Sequence, residues 1–292
     1  MKTFKEAVRT RDFVVTARIA LRPETDATII RQQANLLREY VDAILLTDNQ
    51  FGQLHMSTLA ASALLIQNDV DPIMQLGCRN KNRIALLSEL FGAAALGVTS
   101  LLLVRGNKVS KEINPKPKAV LDVNATELIS IAMTMKSDQQ VGAFSKFFIG
   151  GNVMPHDPES GWIPEKLTNK ISAGAQFMQM SICMDMDLLR RYMRHLIANK
   201  LIRRVSVIAG TVILPSANAA RWLIENRTNV KIPDEIINRL EQATDPEQEG
   251  IKICTELLQQ MAEIPGISGV NIMSGGNLNA IPTAIKAAHL NS

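Results

Sequence analysis

The chain has 292 residues, of which 46% are hydrophobic and 21% charged, and its formal net charge is +4. A chain of this size can bury a large core, either as one large α/β domain or as two ordinary ones. The mild positive charge and the aromatic content of only 4% disfavour nucleic-acid binding, which uses strongly basic grooves and aromatic stacking platforms. Small anionic ligands remain compatible with this composition.

The sequence also disfavours a membrane or secreted protein. No apolar run approaches the roughly 20 residues that cross a bilayer, and the first residues lack the apolar segment and cleavage site of a signal peptide. Cys78, Cys183 and Cys254 show no metal-ligand spacing, so no metal site is predicted and the three thiols are expected to be buried and reduced. We expect a cytoplasmic protein.

Short apolar runs rich in β-branched residues alternate with helical periodicities along the whole chain, which is typical of βα units around a parallel sheet. In chain order, strands are predicted at 13–19, 43–46, 72–76, 100–104, 147–151, 176–182, 204–209 and 269–273. Helices are predicted at 26–40, 57–67, 82–96, 125–135, 164–173, 186–199, 217–225, 233–243, 247–263 and 279–289. This alternation favours a single (β/α)8 TIM barrel domain over residues 1–292 rather than an open doubly wound sheet.

A (β/α)8 barrel carries its working groups at the carboxyl ends of its strands, so position alone selects candidates. From the first strand to the sixth, these are Arg18, Glu24, Thr47, Asp48, Gln75, Arg105, Asn107, Asn152, His156, Ser181 and Asp185. Two long connections, 105–124 and 152–162, lie at the same end of the predicted barrel. The first is rich in lysine, which suits a phosphate or a polyglutamate tail and equally suits a solvated loop.

Several sequence blocks carry a family resemblance. The segment 75–107 ends in Arg105-Gly106-Asn107, and the blocks 13–17 (FVVTA), 170–177 (KISAGAQF), 232–234 (IPD) and 265–273 (PGISGVNIM) accompany it. In their order along the chain, these blocks resemble those of the methylenetetrahydrofolate reductases. The resemblance implies a (β/α)8 flavoprotein in which FAD takes a hydride from NAD(P)H and passes it to methylenetetrahydrofolate, forming methyltetrahydrofolate.

The resemblance also suggests roles for individual residues. The cofactor-binding set that we assign from resemblance and strand-end position is Thr47, Gln75, Arg105, Gly106, Asn107, Asn152, His156 and Lys170. Arg105 and Lys170 would suit the pyrophosphate of FAD. Ser181 and Asp48 are assigned to the tetrahydrofolate substrate, Ser181 because it stands where the family has a folate-contacting Gln.

The sequence differs from the family pattern at positions that the family uses for catalysis and flavin contact. Arg18 stands where the family has a Glu that acts as the general acid, Asn107 replaces an Asp, and Gln75 replaces a flavin-contacting His. Arginine stays protonated at any working pH and therefore cannot deliver a proton as that Glu does. Glu24 is the candidate replacement acid, so the catalytic set is Arg18, Glu24 and Asn107. Fewer negative charges beside a flavin also disfavour hydride release.

Three hypotheses follow. The first is a flavin-dependent oxidoreductase of folate one-carbon metabolism. The second is a diverged folate-binding homologue that lacks the standard reductase activity and instead oxidises methyltetrahydrofolate or transfers a methyl group without flavin. The third is a non-catalytic partner of a reductase subunit. A homo-oligomer or such a partner could use the basic helix 188–204, although a solvated face explains that helix equally well.

Overall fold

The computed structural model describes residues 2–107, 113–115, 117–137, 146–159, 162–227 and 230–290. Its strands are β1 Val14–Ile19, β2 Ala43–Leu46, β3 Pro72–Gly77, β4 Ser100–Val104, β5 Phe148–Val153, β6 Phe177–Ile182, β7 Ser206–Ile213 and β8 Ile267–Ser274. Its α-helices are α1 Phe4–Thr10, α2 Ala27–Leu37, α3 Thr58–Ile66, α4 Arg83–Ala95, α5 Ala125–Ser137, α6 Glu165–Ser172, α7 Met186–Ala198, α8 Ala217–Asn226, α9 Asp234–Gln242, α10 Pro246–Glu263 and α11 Ala280–Ala287. Short 3-10 helices occupy Gln50–Gly52 and Leu201–Arg204.

The strands form a closed parallel barrel in the order β1 to β8, with β8 paired to β1. Thr16 of β1 pairs with Ala43 of β2 on one side and Asn271 of β8 on the other. The predicted (β/α)8 TIM barrel is therefore confirmed. Strand β7 continues past the predicted end at 209 because the residues from Gly210 onward keep pairing with β8, as far as Ile213 opposite Ser274.

Helix α1 closes the amino-terminal end of the barrel. Phe4 is fully buried and packs edge-on against Phe177 with ring centroids 5.3 Å apart, while Phe148 lies 5.7 Å from Phe4. The Phe4 amide donates to the buried Asp71 carboxylate at 2.7 Å, which anchors the helix to the start of β3. The sequence pattern did not predict α1, because seven residues are too few to establish a helical period.

The interior of the barrel needs a glycine where this aromatic cluster sits. Gly150 of β5 lies beside Phe177 of β6, and a Cβ on Gly150 would come within 2.3 Å of the Phe177 ring. A side chain at position 150 would therefore displace the phenyl ring that fills this end of the barrel.

The connection between β7 and β8 departs from the regular βα pattern. The 18-residue helix α10 packs against both β7 and β8, whereas α8 and α9 lie in a preceding insertion. After α8 the chain returns to the end of β6, where the Lys231 amide donates to the Ile182 carbonyl at 3.1 Å and Lys231 accepts from Met184 at 2.7 Å. The sequence predicted both helices but not this route across the barrel end.

No helix within the described ranges is both long and apolar enough to cross a membrane. Cys78, Cys183 and Cys254 are buried and unpaired, as predicted.

Candidate functional site

A cavity of about 560 Å³ opens at the carboxyl ends of the barrel strands. This volume lies in the range of small-molecule and cofactor sites. Its walls come from the ends of β1, β3, β4, β5 and β6 and from the chain that returns after α8. A second cavity of about 170 Å³, beside Pro215 and Asn277, contains none of the predicted site residues.

The large cavity brings together seven of the predicted site residues. They are Arg18, Gln75, Arg105, Gly106, Asn107, Asn152 and Ser181. Gly106 has a φ of +89°, so the backbone turns sharply at the end of β4 in a conformation that favours glycine. The strand-end argument therefore located the cavity, although the role of each residue in it stays a prediction.

Three predicted residues at the ends of β1 and β2 lie outside the cavity lining. Thr47 and Asp48 are buried, and the Asp48 carboxylate accepts from the Gly77 amide at 2.9 Å and from Lys81 at 3.1 Å. Asp48 therefore joins the end of β2 to the end of β3. Glu24 is exposed and lies 3.9 Å from Arg22 in an ion pair, away from the cavity.

His156 also lies beside the cavity rather than in it. Its ring contacts Trp162 edge-on at a centroid distance of 4.1 Å and lies 5.4 Å from the ring of the buried Tyr192 in α7. Asp185, at the end of β6, caps α7 by accepting from the Leu188 amide at 2.9 Å. These contacts fasten the loop after β5 to the outside of the barrel.

Lys170 is held behind the cavity wall by Asn152. Its ammonium group donates to the Asn152 backbone carbonyl at 2.5 Å and to the side-chain oxygen at 3.0 Å. Burial lowers the pKa of Lys170 to about 8, with a further contribution from the positive charge of Lys166. Lys170 thus orients Asn152 and keeps a positive charge near the rim at neutral pH.

Arg18 has unusual surroundings for an arginine. Its Nη1 lies 3.9 Å from the Met273 thioether, a weak acceptor, and its buried Nε has no hydrogen-bond partner among the described residues. Burial and, to a smaller extent, the positive charge of Arg227 together lower the pKa of Arg18 to about 9. Burial likewise lowers the pKa of Arg227 to about 10. Both values lie above 7, so both groups are cations at neutral pH.

Sequence reasoning missed four polar residues of the cavity wall: Gln50, Gln179, Asn226 and Arg227. Gln179 was detectable, because residues two apart in a strand share a face and Ser181 was already a candidate. Its side-chain nitrogen donates to the Met180 and Ile208 carbonyls at 3.0 and 3.3 Å. Arg227 had no comparable signal, since the insertion after β7 carries it to the cavity.

The charged side chains in the described lining of the cavity are all positive. Arg18, Arg105 and Arg227 line it, whereas none of the described residues in its wall carries a carboxylate. The remaining polar groups are amides and a hydroxyl, which donate and accept hydrogen bonds but do not act as acids near neutral pH. The site can therefore bind an anion and a polar heterocycle, and its lining offers no carboxylic acid.

Comparison with solved structures supports the fold. A protein from Clostridium thermocellum that binds two copies of 5-methyl-5,6,7,8-tetrahydrofolic acid is 16% identical, with a TM-score of 0.65 over 97% of this chain and 96% of that one. DmoA from Hyphomicrobium sulfonivorans is 10% identical, with a TM-score of 0.58 over 96% and 88% of the two chains. At such identities the likeness shows the fold alone. No curated protein matches the chain.

The family model for methylenetetrahydrofolate reductase matches residues 23–286. This span contains all the strands from β2 to β8 and the insertion that carries Arg227 to the cavity. Arg18, on β1, lies before the matched span. The chain belongs to the methylenetetrahydrofolate reductase family.

Proposed function

We propose that the chain binds a tetrahydrofolate derivative in the large cavity and acts in folate one-carbon metabolism. The observation that carries this proposal is a cavity of about 560 Å³ at the carboxyl end of a barrel that belongs to the methylenetetrahydrofolate reductase family. The structurally similar Clostridium thermocellum protein binds 5-methyltetrahydrofolic acid, which supports the same class of ligand here. A pterin needs several amide or carbonyl partners, and Gln75, Asn107 and Gln179 supply them.

The more specific reaction that we propose is hydride transfer between NAD(P)H, FAD and a methylene- or methyltetrahydrofolate. FAD, when bound, accepts a hydride from the nicotinamide and donates it to the folate. The residues present suit this cofactor. Arg105 in the cavity wall and Lys170, just behind Asn152, are cations for a pyrophosphate, while Gln75 and Asn152 are partners for a heterocycle. In this proposal the chain binds and orients both ligands and shields them from water.

One observation favours a second candidate function. Opening the imidazolidine ring of methylenetetrahydrofolate requires a proton donor. By resemblance, Arg18 stands where the family has its acid, and Glu24 lies outside the cavity lining in an ion pair with Arg22. A folate-binding homologue without the standard reductase activity is consistent with this lining. Such a protein would oxidise methyltetrahydrofolate, transfer a methyl group without flavin, or act as a non-catalytic partner of a reductase subunit.

The expected setting of either function is the cytoplasm, with a homo-oligomer or a partner reductase subunit as the possible assembly. Co-purification of a second polypeptide with an isolated chain that shows no turnover would support the partner role.

The test combines a spectrum, a binding measurement and a rate. We expect purified protein to show flavin absorbance, to bind 5-methyltetrahydrofolate in equilibrium dialysis and to oxidise NAD(P)H only when methylenetetrahydrofolate is present. Folate binding without flavin and without turnover would favour the second candidate. Protein that binds neither FAD nor any tetrahydrofolate would contradict both.

A further inference from the structure

We propose that Arg18 and Arg227 together bind an oxyanion of the ligand, either a carboxylate or a phosphate. The inference rests on the proposed function only in taking the large cavity as the ligand site. It assigns Arg18, which by resemblance stands at the family's acid position, to anion binding, and it gives the insertion after β7 a role in recognition.

The Arg18 guanidinium lacks a strong hydrogen-bond acceptor among the described residues. This group has five N–H donors in a planar fork, but its Nη1 faces only a weak acceptor, the Met273 thioether 3.9 Å away. Its Nε is buried and has no partner among the described residues. A buried polar group without a partner loses its hydration without compensation, and the loss is greater for a charged group. The missing acceptor is therefore expected from the ligand.

Two cations, Arg18 and Arg227, line this part of the cavity. Arg227 lines the same cavity as Arg18 and lies close enough for its charge to affect the ionisation of Arg18. Like charges in a partly desolvated site repel each other. A negatively charged group placed between them would attract both guanidinium groups and offset this repulsion.

Several other arginines of the described chain pair with carboxylates. Arg239 contacts Glu249 at 2.6 Å and Glu256 at 2.7 Å, and Arg191 contacts Asp157 at 2.8 Å. The cavity wall, in contrast, provides no carboxylate in its described residues. Among the described residues, Arg18 thus lacks a carboxylate counter-ion in a cavity that is large enough for a ligand.

The chemistry of the guanidinium group identifies the class of ligand. A planar fork of N–H donors matches two oxygens of a carboxylate or phosphate and binds them with charge-assisted hydrogen bonds. Two sources present such a group: the glutamate carboxylates of a folate and the phosphates of a nucleotide cofactor. The experiment below separates them.

The first measurement uses inorganic phosphate and needs no folate. The melting temperature is measured while phosphate replaces chloride at constant ionic strength, in wild type, Arg18→Met, Arg227→Met and the control Arg221→Met. Arg221 lies on α8 of the same insertion but is exposed and paired with Glu241. A ligand that binds only the folded state raises its melting temperature by mass action. We expect phosphate to raise it in wild type and the control, and not in the other two variants.

The second measurement identifies the source of the oxyanion. Affinities for 5-methyltetrahydrofolate and for 6-methyltetrahydropterin, which lacks the glutamate, are compared by calorimetry in the same four proteins. If the folate carboxylate binds there, Arg18→Met and Arg227→Met each weaken 5-methyltetrahydrofolate binding by about tenfold or more and leave the pterin affinity unchanged. If a nucleotide phosphate binds there, the same loss appears for FAD or NADPH instead.

The outcomes separate this inference from the proposed function. A phosphate effect that depends on Arg18 and Arg227, in protein that binds no tetrahydrofolate, supports the oxyanion site and contradicts the folate function. Equal binding of every probe to wild type and to both variants overturns the oxyanion site, as does failure of wild type to bind any of the probes. Arg18→Lys keeps the charge but loses the fork, so we expect intermediate affinity in that variant.

Discussion

The two ends of this barrel use buried polar and charged groups in opposite ways. At the amino-terminal end, Phe4, Phe148 and Phe177 fill the interior and Asp71 anchors the Phe4 amide. At the carboxyl-terminal end, a cavity remains, and Arg18 lines it with a buried Nε that no described residue contacts through a hydrogen bond. The closed end thus contributes packing, whereas the open end places the buried Nε of Arg18 where a ligand could supply an acceptor. Stability and ligand binding should therefore be separable by mutation.

The largest expected effect is the loss of stability when the aromatic cluster of the closed end is mutated. Phe177→Ala removes a fully buried ring that contacts Phe4 and Phe148, and we expect the free energy of unfolding to fall by about 3–5 kcal/mol. The measurement is urea denaturation, with Ile84→Ala as the control because Ile84 is 76% exposed on α4. We expect the control to change stability by less than about 0.5 kcal/mol. A large loss of 5-methyltetrahydrofolate affinity in well-folded Phe177→Ala would contradict the independence of the two ends.

The next largest expected effect is a pH-dependent change in stability that is caused by the charge of Asp71. Burial raises the pKa of Asp71 to about 7, and Glu6 adds to the increase while the Phe4 amide opposes it. Because the folded pKa lies above the unfolded one, the favourable contribution of Asp71 is complete below about pH 4 and is lost as the pH rises through about 7. Asp71→Asn removes the charge and keeps an acceptor. We expect it to stabilise the protein by about 2–3 kcal/mol at pH 8 and to have a much smaller effect at pH 4.

Urea denaturation at several pH values measures this difference. Asp69→Asn is the matched control, because Asp69 is exposed and its φ of +57° suits asparagine. Equal pH profiles for wild type and Asp71→Asn would show that the Asp71 charge does not limit the stability of the closed end.

A smaller change in the free energy of unfolding should distinguish an arginine that stabilises the fold from one that binds a ligand. Arg239 joins Glu249 and Glu256 between α9 and α10, so Arg239→Met should lower the free energy of unfolding by about 1 kcal/mol. Arg18→Met removes a repulsive neighbour of Arg227 and adds an apolar side chain, so ligand-free protein should gain up to about 1 kcal/mol. Both variants are compared with wild type in a phosphate-free chloride buffer. A loss of stability in Arg18→Met would mean that Arg18 has a structural role.

The sequence predicted the closed end and the open end to different extents. Alternating strands and helices were sufficient for the barrel, and strand ends such as Arg18, Gln75 and Ser181 located the cavity, because a parallel barrel places those ends together. Arg227 could not be placed, since its position depends on the pairing of Lys231 with Cys183 across the barrel end. The short helix α1 was missed for a related reason: its position depends on Phe4 and Asp71, which are 67 residues apart.

The smallest effect is expected at the rim of the open end. Burial lowers the pKa of Lys170 to about 8, so its ammonium group is charged at pH 7 and mostly neutral at pH 9. If Lys170 faces a phosphate of FAD, the apparent dissociation constant for FAD should rise by about two- to fivefold over this range. Fluorescence titrations of FAD with wild type and Lys170→Met measure the effect, and the variant should bind weakly at both pH values. In Lys166→Met the change should occur at a higher pH, because the charge of Lys166 helps to lower the pKa of Lys170. A pH dependence that persists in Lys170→Met would assign the titration to another group and leave Lys170 as the residue that orients Asn152.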